Sequence, residues 1–226
     1  MGLMNFVKSA GRKLGFGKTE AAKEDRLKAA AEKAAAAPSE AQIAEMLKAA
    51  VTSRGLEIAD LAVGFAAGTA TITGKASSTG DSEKCCLIVG NHDGVEAVDN
   101  QIQVEIPAPP AVYHTVVKGD TLSKIAMEYY GVMRLYETVF GANVPMIQDP
   151  DEIYPGQVLR IPPTPAPKHI VAKGETLGVI AKHWYGKAGE YTRIAEANGI
   201  DPNKIEVGQE LTIPLVNPKV GGQTLV

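Results

Sequence analysis

Apolar positions recur along this chain in two rhythms, and the switches between them mark its elements. Leu3, Phe6, Val7, Ala10 and Leu14 fall on one helical stripe, with Gly11 placed to end that helix early. Residues 18–37 are rich in Ala, Lys and Glu, favour helix by propensity, carry little large apolar surface, and read as an exposed spacer. Ser39 and Gln42 form a capping box ahead of a second stripe, Ile43, Met46, Leu47, Ala50 and Val51, which Gly55 can close. The rhythm then becomes alternation. Leu61, Val63 and Phe65 predict a strand, and Ala66–Gly68 turns it into another over Thr69–Thr73 that ends at Gly74. A helix capped by Asp81 or Ser82 runs to about Asn91, and Val98, Ile102, Val104 and Ile106 mark one face of a last strand.

The turn between that helix and that strand, Gly90 to Val95, is the stretch with chemical content. Gly90 stands where a left-handed cap is expected, and Gly94 is a second position free of Cβ strain. A helix that stops here leaves its last carbonyls without amide partners, at the negative end of its dipole, so the turn can attract a cation. A helix ending near Gly11 exposes the carbonyls around Val7 and Ala10 in the same way. The plainer alternative is a tight helix-to-strand turn.

Beyond Pro107–Pro110, a stiff linker, the sequence repeats itself. His114-Thr-Val-Val-Lys-Gly-Asp-Thr-Leu122 matches His169-Ile-Val-Ala-Lys-Gly-Glu-Thr-Leu177, after a second Pro-rich linker at Pro162–Pro167. Tyr130-Gly131 and Ala142-Asn143 match Tyr185-Gly186 and Ala197-Asn198. Ile153, Gly156-Gln157 and Ile161-Pro162 then match Ile205, Gly208-Gln209 and Ile213-Pro214. Each copy reads strand, helix, helix, strand. Leu122, Ile125, Ala126 and Tyr129 form the inward helical face of the first copy, and Leu177, Ile180, Ala181 and Trp184 that of the second. The fold class is therefore α+β and multidomain: an N-terminal helix and spacer (1–37), an αββαβ domain (38–106), a linker (107–112), a βααβ domain (113–162), a linker (163–167), a second βααβ domain (168–214) and a tail (215–226).

Composition narrows the function. The net charge of −3 gives no case for a nucleic-acid surface. Residues 1–37 hold eight basic and four acidic side chains, residues 38–106 four and ten, so the domain body suits cations and the basic segment could fold back onto it. No run is apolar and long enough for a transmembrane helix, and Met1–Phe16 lacks the core of a signal peptide, so a cytoplasmic location is expected. Cys85 and Cys86, adjacent on a helix, read as reduced structural thiols. There is no nucleophile-elbow motif and no zinc-type His pair, so catalysis is not expected. His92 has no second His at ligand spacing.

Gly68 and Gly74 around a strand, with Gly94-Val95 followed by Val98 and Asn100, make residues 38–106 resemble a BON domain. The duplicated Lys-Gly-Asp/Glu-Thr-Leu, Tyr-Gly and Gly-Gln…Ile-Pro pattern closely resembles LysM domains. LysM modules bind N-acetylglucosamine polymers such as peptidoglycan, which implies a groove between Gly119, Asp120, Thr121, Leu122 and Ile153, Tyr154, Pro155. The second copy's groove would lie between Gly174, Glu175, Thr176, Leu177 and Ile205, Glu206, Val207. The combination of residues 1–14, the BON-like body and a LysM-like copy resembles a bacterial potassium-binding BON–LysM family, cytoplasmic and selective over sodium; this chain is expected to be a monomer. That resemblance implies a potassium ion among the main-chain carbonyls of Val7, Ala10, Gly90, His92 and Val95, with that of Arg12 as a further candidate ligand. His92-Asp93 replaces the apolar and hydroxyl residues of the family; a carbonyl ligand survives that change if the backbone is kept. The longer Ala-rich spacer and the second LysM copy are departures. The competing expectation is a cell-envelope protein that holds peptidoglycan or chitin oligosaccharide in both copies.

Overall fold

The structure is a computed structural model, and it describes residues 3–5, 38–216 and 219. Its first element is a strand, β1 (Leu3–Asn5), where the apolar stripe predicts the start of a helix. Three residues pair antiparallel with a sheet edge, Leu3 opposite Asp99 and Asn5 opposite Ala97, so the main-chain groups are satisfied by the sheet and not by a helical turn. The rest of the predicted N-terminal helix, with Val7, Ala10 and Arg12, lies outside the described residues.

Helix α1 (Glu40–Thr52) starts at the capping box: Gln42 N–H donates to Ser39 Oγ at 3.3 Å and Ser39 N–H to Gln42 Oε1 at 2.8 Å. Strands β2 (Ala59–Ala66) and β3 (Thr69–Ser78) form the hairpin. β3 does not end at Gly74 as predicted. It passes through Gly74, whose φ is +149°, and a Cβ there would meet the Ile58 side chain at 2.8 Å and the Ala59 carbonyl at 2.9 Å. The glycine lets the hairpin's start cross close to its partner strand. Ser78, not Asp81 or Ser82, caps α2 (Thr79–Gly90). Strand β4 (Ala97–Ile106) returns parallel to β3, giving the sheet order β1-β4-β3-β2. Both helices pack on this sheet, over a core that includes Val51, Ile72, Val89, Val98 and Ile102.

Each repeat copy builds the same unit. In the first, β5 (Val112–Thr115) and β6 (Val158–Ile161) pair antiparallel, with α3 (Leu122–Tyr130) and α4 (Tyr136–Asn143) between them. In the second, β7 (Lys168–Ile170) and β8 (Glu210–Thr212) enclose α5 (Leu177–Tyr185) and α6 (Tyr191–Asn198). Leu122, Ile125 and Ala126 are buried as predicted, as are Leu177, Ile180 and Ala181. Tyr130 and Tyr185, one residue further along each helix than predicted, are the buried aromatics, each donating its hydroxyl to a proline carbonyl (Pro162 at 2.6 Å, Pro214 at 2.9 Å). Burial pushes both tyrosine pKa values up.

The two copies share one continuous core. The stretch after the second copy folds back on the first: Val216 N–H donates to the Tyr130 carbonyl, Lys219 N–H to the Tyr129 carbonyl, and Lys219 Nζ meets Glu128 at 2.8 Å. Among the described residues no helix is long and apolar enough to cross a membrane.

Candidate cation turn and glycan loops

Helix α2 ends differently from the sequence expectation. Gly90 is its last helical residue and is buried; the cap is Asn91, in the right-handed region at φ −80°. The left-handed glycine is Gly94, φ +86°. His92 N–H donates to the Val89 carbonyl at 3.1 Å, and Val95 N–H to the His92 carbonyl at 3.3 Å. The last bond is long. Val95 is buried beneath the turn. β1 runs from Asp99 toward Ala97, so the chain leaves Asn5 at the end of β4 that adjoins this turn. Among the described residues no three His, Cys, Asp or Glu side chains form a group able to hold a metal ion. Cys85 and Cys86 are buried and reduced, and burial raises both thiols, Cys85 to about 12, which keeps them protonated and unreactive.

The turn is tied to the first LysM-like copy through a residue the sequence reading passed over. Asn91 Nδ2 donates to the Leu87 carbonyl at 3.0 Å and to the Val158 carbonyl at 2.9 Å, while Val158 N–H donates to Asn91 Oδ1 at 2.8 Å. At the other end of α2, Glu83 and Arg160 form an ion pair at 2.6 Å with side chains only 9% and 12% exposed. The second Glu83 oxygen accepts the Ala111 N–H at 2.9 Å. Val158, Tyr113 and Met146 complete the core of the first domain. Burial, with the Glu83 carboxylate next to it, raises the Tyr113 hydroxyl. A cavity of about 800 Å³ opens between Asn91–Asp93 on one side and Tyr154–Gln157 on the other.

The candidate glycan loops divide by role. Leu122 and Leu177 point into the core, so only their main chains face the loops. Thr121 and Thr176 cap α3 and α5, accepting from Lys124 N–H and Val179 N–H. Asp120 and Glu175 close their loops. Asp120 Oδ2 accepts Val117 N–H at 2.8 Å and lies 2.9 Å from His114 Nε2; Glu175 Oε2 accepts Ala172 N–H at 2.7 Å and lies 2.8 Å from His169 Nε2. Burial pushes the Asp120 carboxyl up, but the Val117 amide and His114 outweigh it and hold it below the usual carboxylate range. The Ala172 amide, then His169, hold Glu175 below its range. Trp184 Nε1 donates to His169 Nδ1 at 3.3 Å, where the first copy places the Tyr129 hydroxyl on His114. That leaves Gly119, Tyr154 and Pro155 exposed and Ile153 half-buried in one copy, and Gly174, Glu206 and Val207 exposed and Ile205 half-buried in the other.

The BON domain family matches residues 39–106, and the LysM domain family matches residues 114–162 and 169–214. The potassium binding protein Kbp of Escherichia coli is 41% identical over 164 residues, covering 72% of this chain and 99% of that protein. The chain belongs to the BON–LysM family of Kbp. Two further relatives share parts of it. An esterase of Mycobacterium tuberculosis is 42% identical over 106 residues, which cover 46% of this chain and only 22% of that protein. A secreted LysM effector of Passalora fulva is 26% identical over 115 residues, 48% of this chain and 47% of that protein. The family accounts for the BON and LysM arrangement, and 28% of this chain lies outside the match to Kbp.

Proposed function

We propose that this protein binds and senses potassium, and that main-chain carbonyls of the BON turn hold the ion. Gly90, His92 and Val95 supply the described part of the site; Val7 and Ala10, with Arg12, supply the rest. The observation that carries this reading is the match along 99% of a relative named for potassium binding. The direction of β1 supports it, because the chain continues from Asn5 beside the turn. A cluster of fixed carbonyl dipoles can replace the hydration shell of potassium. The excess of acidic side chains over residues 38–106 favours a cation. Ion binding at a turn tied to Val158 through Asn91 would change how the BON body packs on the first LysM copy. The protein works in the cytoplasm as a binding protein and not as a hydrolase.

Amide spectra of the full chain during potassium and sodium chloride titrations at equal ionic strength test this reading. Shifts at Asn91–Val95 with potassium and much smaller ones with sodium are expected. Equal responses to both salts, or shifts elsewhere only, would contradict it. His92→Ala should keep potassium binding, since alanine retains the carbonyl; loss of binding with the fold preserved would favour the imidazole as ligand.

A second reading has its own observation, the pair of exposed loops at 119–122 with 153–155 and 174–177 with 205–207. These loops suit N-acetylglucosamine-containing glycan, peptidoglycan or chitin oligosaccharide. Calorimetric titration with a chitin pentasaccharide tests it, and absence of heat and of shifts in both copies would sink it.

A further inference from the structure

We propose that the cavity between the BON body and the first LysM copy continues that copy's glycan loops and receives the end of a bound N-acetylated oligosaccharide. This site rests on the second reading, that the copy binds glycan. Tyr154 and Pro155 belong to the candidate groove and also line the cavity, as does Lys118, the neighbour of Gly119. Facing them from the BON body are Arg54, Ile88 and Asn91. A sugar bound along the groove and extending past Pro155 therefore enters a space of about 800 Å³ with BON residues on its far wall. That volume falls within the range of small-ligand sites.

The wall chemistry is that of a carbohydrate site. An acetamido sugar offers hydroxyl and amide groups around its rim and C–H faces above and below. The Tyr154 ring, 62% exposed, supplies a face for stacking, and buried Ile88 supplies an apolar floor. Arg54 carries five N–H donors, one side of which is held by Nη1 donating to the Ala50 carbonyl at 2.9 Å, and Lys118 carries three. Asp93 stands on the same rim, which disfavours a bare anion as the occupant. The second copy provides an internal control. Its counterpart of Tyr154 is Glu206, and its loops are not walls of this cavity.

The test is an amide-shift titration of the full chain at constant potassium chloride, with a chitin disaccharide and a chitin pentasaccharide. The disaccharide should move only the loop residues. The pentasaccharide should in addition move Arg54 and Asn91. Arg54→Ala should weaken the pentasaccharide at the first copy by about tenfold or more, the loss of one hydrogen bond to a charged group, and leave residues 174–177 of the second copy responding as before. Pentasaccharide shifts confined to 119–122 and 153–155, with Arg54 and Asn91 unmoved, would overturn the site while leaving glycan binding intact. No shift in either copy would remove the glycan reading and this site with it.

Discussion

Asn91, Asn143 and Asn198 each stand at a helix end, donate to the carbonyl four residues back, and clasp one strand residue by both its main-chain groups. Asn143 holds Arg160 and Asn198 holds Thr212, each inside its own LysM copy. Asn91 does the same to Val158 from the BON domain, so the outer edge of β6 is covered by two asparagines from two domains. Asn91→Ala leaves both main-chain groups of Val158 without these partners and should cost about 1–3 kcal/mol in urea unfolding; an unchanged midpoint would contradict the clasp. The Ala-Asn repeat was visible in the sequence, but Asn91 was not, because its partner lies 67 residues away. Asp120 and Glu175 give a pH prediction. Their folded values are depressed, so the stability they contribute is present above the ordinary carboxylate range near pH 4 and is lost as pH falls through the depressed values. Melting temperature measured from pH 7 to pH 3 should fall in that window, and Asp120→Asn with Glu175→Gln should flatten the fall.

The two LysM copies share their core but differ on the outer face of the strand pair. Where the first copy has Tyr113, Val158 and Arg160 against helix α2, the second has Lys168, Glu210 and Thr212, linked to one another at the surface. Many buried positions match between the copies, Leu122, Ile125 and Ala126 with Leu177, Ile180 and Ala181 among them, whereas buried Val132, Leu135 and Val158 correspond to Lys187, Glu190 and Glu210. Arg160→Met leaves Glu83 buried beside its Ala111 amide without the guanidinium, and should destabilise by about 3–5 kcal/mol, whereas Arg160→Met with Glu83→Leu should recover much of that loss in the same denaturant titration. At the opposite face, Gly131 has φ +67° and no space for a Cβ, which would overlap Val216. Gly131→Ala should therefore cost more than 1 kcal/mol, and more than Gly94→Ala, where φ is also positive but the space is open. Comparable losses at the two positions would mean that the returning tail is not packed as described. The stripe at Leu3 misled for a local reason. Leu3–Asn5 has the spacing of a helix start, but a free edge of β4 accepts it as a strand, and edge pairing is a tertiary fact that periodicity does not carry.

At the scale of the whole molecule the two Pro-rich linkers mark where one module gives way to the next, and the modules meet through α2 against β6 and through one core shared by the LysM copies. The modules were legible because each closes its own hydrophobic pattern; their docking was not, because it depends on single polar residues such as Asn91, Glu83 and Arg160 meeting across domains. The candidate cation turn was found by its glycines, though Gly94 and not Gly90 takes the left-handed conformation. That turn lies at the junction, so an ion bound there would stabilise the folded, docked chain. Thermal unfolding in potassium chloride against sodium chloride at matched ionic strength tests this most directly. A ligand present at 100 times its dissociation constant and bound only by the folded state adds about 2.7 kcal/mol, so the melting temperature should be higher by several degrees in potassium. Superimposable melting curves in the two salts would contradict the potassium site.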